Sequence, residues 1–152
     1  SKAIAYRLAT SEEAQRVSAL NAEFRAEIGR PFPTGEPGEG AVFVAVAKDQ
    51  VVGYAYVTMQ GWNRVANFDQ IFVLPNYRRW GVATNLMAPA IGLARQKGMR
   101  RVMARVRATS PALVFYLKAG FRVVGFVGGA EPPRDDEGGP ALFLDYGLPS
   151  SE

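Results

Sequence analysis

The 152 residues suffice for about one domain with a continuous core, and a hydrophobic share of 48% beside 21% charged residues is that of a soluble globular chain. Cys and His are both absent, which excludes disulfides, thiolate nucleophiles, zinc–thiolate sites, the imidazole general base and the Ser-His-Asp triad from this chain. The net charge of +4, mostly arginine, is scattered over several segments without a stripe of stacking aromatics, so it points to a polyanionic small ligand and away from a nucleic-acid partner.

No apolar run approaches the ~20 residues that cross a bilayer. No basic-then-apolar leader is visible at Ser1-Lys2-Ala3, so a cytoplasmic location is expected, with no membrane partner and no metal site. One domain over residues 1–148 with a short tail over 149–152 is the expected organisation.

Ile4 to Leu8 alternates as a short first strand. Thr10-Ser11-Glu12-Glu13 has the pattern of a capping box, with Val17, Leu20, Phe24 and Ile28 following at helical spacing, so a helix is expected over Ser11 to Ile28. Gly29 to Gly38 is too rich in Pro and Gly for regular structure and reads as a loop, either functional or a plain connector. Ala41 to Ala47 and Val51 to Met59 read as strands of a hairpin around Lys48-Asp49-Gln50. A third strand, Val65 to Val73, follows Gly61-Trp62-Asn63-Arg64 and ends before Pro75, which has no backbone donor to continue it.

The basic turn Asn76-Tyr77-Arg78-Arg79-Trp80 then leads into a helix over about Gly81 to Lys97, closed by Gly98. Its entrance carries little side chain. The first amides of a helix lack intrahelical partners and lie at the positive end of its dipole, so Gly81, Val82, Ala83 and Thr84 outline an anion site, with Arg78 and Arg79 adding charge. Pro89 removes the hydrogen bond to the carbonyl of Asn85, and a kink or break is expected there. Arg101 to Val106 alternates as a strand. Ser110-Pro111 starts a short helix that ends at Lys118 and Gly120, and strands follow over Phe121 to Val127 and Ala141 to Tyr146, on either side of a Gly/Pro loop from Gly128 to Gly139.

Two spacings carry a family resemblance. Arg78-x-x-Gly81-x-Ala83 after the strand end Ile71-Phe72-Val73 resembles the acetyl-CoA signature of the GNAT superfamily of N-acetyltransferases. The segment Ala112 to Phe121, with Tyr116 and the Gly120-Phe121 step, is similar to that family's second hallmark, although Thr109 or Ser110 stands where the family has Asn. Together they cover about Val65 to Val127.

The resemblance implies the α/β (α+β) GNAT fold: a central, mixed, mostly antiparallel sheet of about seven strands, helices on both faces, and a splayed parallel strand pair in the middle. It also implies acetyl-CoA as co-substrate. The pantetheine would pair with backbone groups of Ile71, Phe72 and Val73. Its pyrophosphate would sit on the turn formed by Arg78, Arg79, Trp80, Gly81, Val82, Ala83 and Thr84, with Ser110 and Tyr116 also at the cofactor.

Tyr116 would be the general acid for the departing thiolate, or would only pack its ring and hydrogen-bond the sulfur. Asp69 is the best base, since Asn67, Asp69, Ile71 and Val73 share a face if the strand alternates strictly and Gln70 points the other way. A structural or solvated Asp69 beside a water chain stands as its alternative, and Glu23 and Glu27 are weaker candidates. The acceptor would lie between the first helix and its loop, the Gln60–Arg64 turn and the last-strand loop. Glu36, Glu39, Glu131, Asp135, Asp136 and Glu137 either suit a cationic acceptor or are solvated loop charges.

The chain therefore reads as an N-acetyltransferase moving acetyl from acetyl-CoA to a primary amine by direct attack, and a homodimer is compatible with it. The rival readings are a noncatalytic acyl-CoA-binding or sensing domain on the same fold and a basic nucleic-acid module.

Overall fold

The computed structural model describes residues 3–28, 40–127 and 141–149. The two Gly/Pro loops, the acids Glu36, Glu39, Glu131, Asp135, Asp136 and Glu137, the side chains of Glu23 and Glu27, and the tail from Ser150 lie outside the described residues.

The elements run β1 (Ile4–Leu8), α1 (Ser11–Ile28), β2 (Gly40–Ala47), β3 (Gln50–Gln60), β4 (Val65–Val73), a 3₁₀ turn (Pro75–Tyr77), α2 (Val82–Gln96), β5 (Arg101–Arg107), α3 (Ala112–Lys118), β6 (Arg122–Val127) and β7 (Ala141–Gly147). They form one seven-stranded sheet in the order β1-β2-β3-β4-β5-β7-β6. Every neighbouring pair is antiparallel except β4 and β5, which α2 connects by a crossover, as a helical connection requires of parallel strands. This is the mixed sheet expected from the sequence.

The apolar alternation of the strands splits the core into two layers. On one face Phe43, Ala55, Val57, Ala66, Phe68, Val102, Ala104 and Leu144 pack with Val82, Leu86, Met87, Ala90 and Ala94 of α2 and Tyr116 of α3. On the other, Val44, Val51, Tyr54 and Phe72 pack with Val17 of α1. Gly53 lets α2 descend onto the sheet: a Cβ there would lie 3.0 Å from the Phe72 carbonyl oxygen and 3.4 Å from Val82 Cγ1.

The helix ends follow their sequence signals. Glu13 N–H donates to Thr10 Oγ1 at 3.2 Å and Thr10 N–H donates to Glu13 Oε1 at 2.9 Å, completing the capping box. Arg7 donates to the same carboxylate, and these bonds, Arg7 first, hold the Glu13 pKa down at about 2. Gly98, at φ 78°, closes α2, where Met99 N–H donates to the Ala94 carbonyl. Ser110 Oγ accepts from Ala112 N–H at 3.2 Å at the start of α3, and Gly120, at φ 105°, follows its end.

One expectation is corrected. Of the kink or break expected at Pro89 the break is absent, and α2 is continuous from Val82 to Gln96. A single lost hydrogen bond is outweighed because Leu86 and Met87 before it and Ala90 and Ala94 after it are all buried on the same side of the helix.

A buried charge ties the far strands together. Asp145 on β7 is 2% exposed and lies between Arg101 of β5, at 3.5 Å, and Arg122 of β6, at 3.6 Å.

Candidate active site

The parallel pairing of β4 with β5 covers four residue pairs, from Val65↔Arg101 to Phe68↔Ala104, and then stops. From Asp69 onward β4 pairs with β3 alone, so a gap opens in the middle of the sheet. The change coincides with a β-bulge. Tyr56 is opposite Gln70 and Val57 is opposite Phe68, which leaves Asp69 as the extra residue.

The bulge corrects the facing expected for this strand. Strict alternation would put Asn67, Asp69, Ile71 and Val73 on one face. Instead Ala66 and Phe68 before the bulge share the α2 face with Ile71 and Val73 after it, while Phe72 packs toward α1. The extra residue resets the two-residue period.

The hydrogen bonding of the strand end decides which backbone groups face the gap. Leu74 N–H donates to the Val52 carbonyl at 2.9 Å, so by alternation the groups of Phe72 also face β3, and those of Ile71 and Val73 face the open edge. Arg78 confirms this for one atom: its Nε donates to the Val73 carbonyl at 2.8 Å, and its guanidinium lies 5.5 Å over the Phe72 ring. Arg78 is thus folded back against β4.

The turn that follows has two left-handed residues, Arg79 at φ 69° and Gly81 at φ 77°. The Tyr77 and Trp80 rings pack at 5.7 Å. Asn85 N–H donates to the Gly81 carbonyl at 3.0 Å, which makes Gly81 the cap and places the amides of Val82, Ala83 and Thr84 ahead of the first intrahelical bond. Nothing crowds them at Gly81, where an added Cβ would meet only Asn85 Nδ2, at 3.8 Å. A helix entrance of this kind suits an anionic group.

Tyr116 is 4% exposed, edge-on to Phe115 at 5.2 Å and to Phe121 at 5.1 Å. Burial, and then the negative charge of Asp69, push its phenol well above the usual range, so the hydroxyl keeps its proton at neutral pH. Asp69 accepts a hydrogen bond from Thr58 Oγ1 at 2.7 Å. Partial desolvation raises its pKa and the Thr58 bond pulls the other way. The charge of Asp69 is therefore felt at the Tyr116 hydroxyl across the gap.

The sequence reading missed a polar network on the α1 side. Asn21 Nδ2 donates to Tyr54 Oη at 3.0 Å and to Gln70 Oε1 at 2.6 Å, and Tyr54 Oη donates to the same Gln70 oxygen at 2.8 Å. It fixes α1 to β3 and β4 beside the gap. Its signal was Asn21, one turn after the buried Val17 on an otherwise apolar helix face. Among the described residues no group of three or more His, Cys, Asp or Glu is placed to hold a metal ion.

Comparison with known proteins agrees with this architecture. The family model for the acetyltransferase (GNAT) family matches residues 6–121. The solved structure of nourseothricin acetyltransferase is 29% identical, with 79% of this chain and 71% of that chain covered and a TM-score of 0.67. A Bacillus anthracis protein in complex with acetyl coenzyme A is 23% identical, with 75% and 65% covered and a TM-score of 0.67. The ribosomal-protein-S18-alanine N-acetyltransferase of Escherichia coli is 15% identical, with 99% and 97% covered and a TM-score of 0.75, a likeness of fold. No curated protein sequence matches. With its parallel pair parted at the bulge and its family match spanning most of the chain, this protein belongs to the GNAT acetyltransferase family.

Proposed function

We propose that the protein transfers acetyl from acetyl-CoA to a primary amine by direct attack, within the gap between β4 and β5. The observation that carries this reading is the parting of the strands at Phe68 and Ala104 between an open backbone edge and a helix entrance suited to anions. When bound, acetyl-CoA supplies an acyl group activated as a thioester.

The residues present fit such a ligand. The backbone groups of Ile71 and Val73 would pair with the pantetheine amides, and the amides of Gly81, Val82, Ala83 and Thr84 would hold the pyrophosphate, with Arg79 and Trp80 flanking. A preorganised amide aimed at a developing oxyanion contributes ~3 kcal/mol without any ionisable side chain, so the lack of His is no obstacle.

Asp69 would take the proton from the acceptor ammonium, and its desolvation makes it a stronger base than a surface carboxylate. Tyr116 Oη would hold its proton toward the leaving sulfur. The raised phenol pKa keeps that donor protonated and neutral across the working range. Ser110, bonded to the start of α3, would position Tyr116 through that helix.

The test combines calorimetry with acetyl-CoA and a thiol-release assay against an amine panel that includes nourseothricin. Acetyl-CoA binding with amine-dependent CoA release supports the enzyme; binding without turnover on any amine supports a sensor. Tyr116→Phe is expected to lower kcat by ~100-fold with acetyl-CoA affinity retained. Near-normal turnover in that variant would remove Tyr116 from the chemistry.

A further inference from the structure

The turn between β3 and β4 is a rigid tip. Asn63 Nδ2 donates to Gln60 Oε1 at 2.9 Å, and Asn63 Oδ1 accepts from Val65 N–H at 3.1 Å. Arg64 Nε donates to the Gly98 carbonyl at 2.8 Å, Arg100 Nε donates to the Asn63 carbonyl at 3.2 Å, and Arg100 N–H donates to the Arg64 carbonyl at 2.8 Å. These bonds join the tip to the end of α2 and the start of β5. They gather Arg64, Arg95, Lys97 and Arg100, which the sequence scatters, at one pole of the molecule. All four are exposed, and none forms an ion pair among the described residues.

Trp62 stands at the tip, 85% exposed. Arg64 and Arg100 are anchored through Nε, which leaves their terminal amino groups outside these hydrogen bonds. Cations at the end of α2 complement its dipole, which accounts for Arg95 and Lys97 but not for Arg64, Arg100 or an uncovered indole.

We propose that this pole binds single-stranded nucleic acid, with its cations on successive phosphates and a base stacked on Trp62. Phosphates match arginine forks, and every base offers a face to an exposed ring. A lipid surface fits less well, since Trp62 is flanked in sequence by Gly61 and Asn63, neither of which is apolar enough to insert with it. An acidic protein would need an apolar surround to exclude water from the indole, and among the described residues the tip offers none. The pole is remote from the helix entrance: the 9 residues of β4 separate them, about 30 Å at the rise of a strand. The Gln60–Arg64 turn was also expected to border the acceptor site, but the proposal needs no acyl transfer and its test reads binding alone.

The test measures anisotropy of a fluorescein-labelled 12-nucleotide oligouridylate titrated with the full chain at several salt concentrations. Four phosphate contacts give a log–log salt slope of about −3. Trp62→Ala is expected to weaken binding at least ~5-fold with the slope unchanged. The double variant Arg95→Gln, Lys97→Gln is expected to flatten the slope by about 1.4. All three substitutions are of exposed side chains, and circular dichroism checks that the variants fold. The proposal is overturned by no binding at low salt, by binding that Trp62→Ala leaves unchanged, or by preference for phosphatidylserine vesicles or poly-glutamate over the oligonucleotide.

Discussion

The two halves of β4 differ more than their sequences suggest. Val65 to Phe68 is paired on both sides, and three of its four side chains are buried, so it belongs to the core. Asp69 to Val73 is equally apolar toward its end but paired on one side only, and its free edge faces the gap. A single extra residue, Asp69, separates the two. One half of a strand holds the sheet together, and the other half is a template for a ligand that can pair as a strand would.

Breaking the first half should cost stability. Phe68→Ala is expected to destabilise the fold by ~3–5 kcal/mol through loss of a buried ring, measured by urea denaturation. Breaking the second half should cost function. Asp69→Asn is expected to lower kcat by ~100-fold while the urea midpoint stays near wild type. The comparison fails if Asp69→Asn unfolds the protein as severely as Phe68→Ala does. The pH profile sharpens it: a base whose pKa is raised makes kcat/KM fall on acidification from a pH above the usual carboxylate range, and Asp69→Asn should abolish that limb.

Gly81→Ala probes where the free edge meets the helix. There is room for the methyl group, but φ 77° is costly for a side chain, and ~1–2 kcal/mol of stability should be lost together with acetyl-CoA affinity by calorimetry. Thr10→Ala touches neither half of β4 and serves as the reference, costing ~1 kcal/mol of stability with kinetics unchanged. The partner carboxylate, Glu13, has a folded pKa of about 2 against an ordinary 4.5. A depressed pKa contributes stability in full above the ordinary value. That contribution is lost as pH falls from about 4.5 toward 2, and an acid titration of Glu13→Gln should lack it.

Much of this was legible in the sequence because it is written locally. The capping box at Thr10 and Glu13, the strand end at Pro75, the glycine at position 81 and the Ser110-Pro111 start are each set by neighbours a few residues away. Element order then led to the mixed sheet, and two spaced motifs led to the family. What was not legible depends on partners distant in sequence. The bulge at Asp69 exists only relative to the register of β3, so strict alternation assigned the wrong faces around it. Arg78 looked like a charge for the ligand, and its fold-back onto Val73 depends on where the strand edge is left open. Pro89 read as a kink or a break because the buried contacts that keep α2 continuous on either side of it come from the sheet. The cations of the Trp62 pole looked scattered because three separate elements deliver them.

The central claim is that the free edge of β4 takes up acetyl-CoA as a strand would, and residue-resolved amide hydrogen exchange with and without acetyl-CoA tests it most directly. The amides of Ile71 and Val73 should gain protection on binding, with Phe72, already bonded to β3, changing least. Protection that falls equally on all three, or that spares Ile71 and Val73, would contradict it.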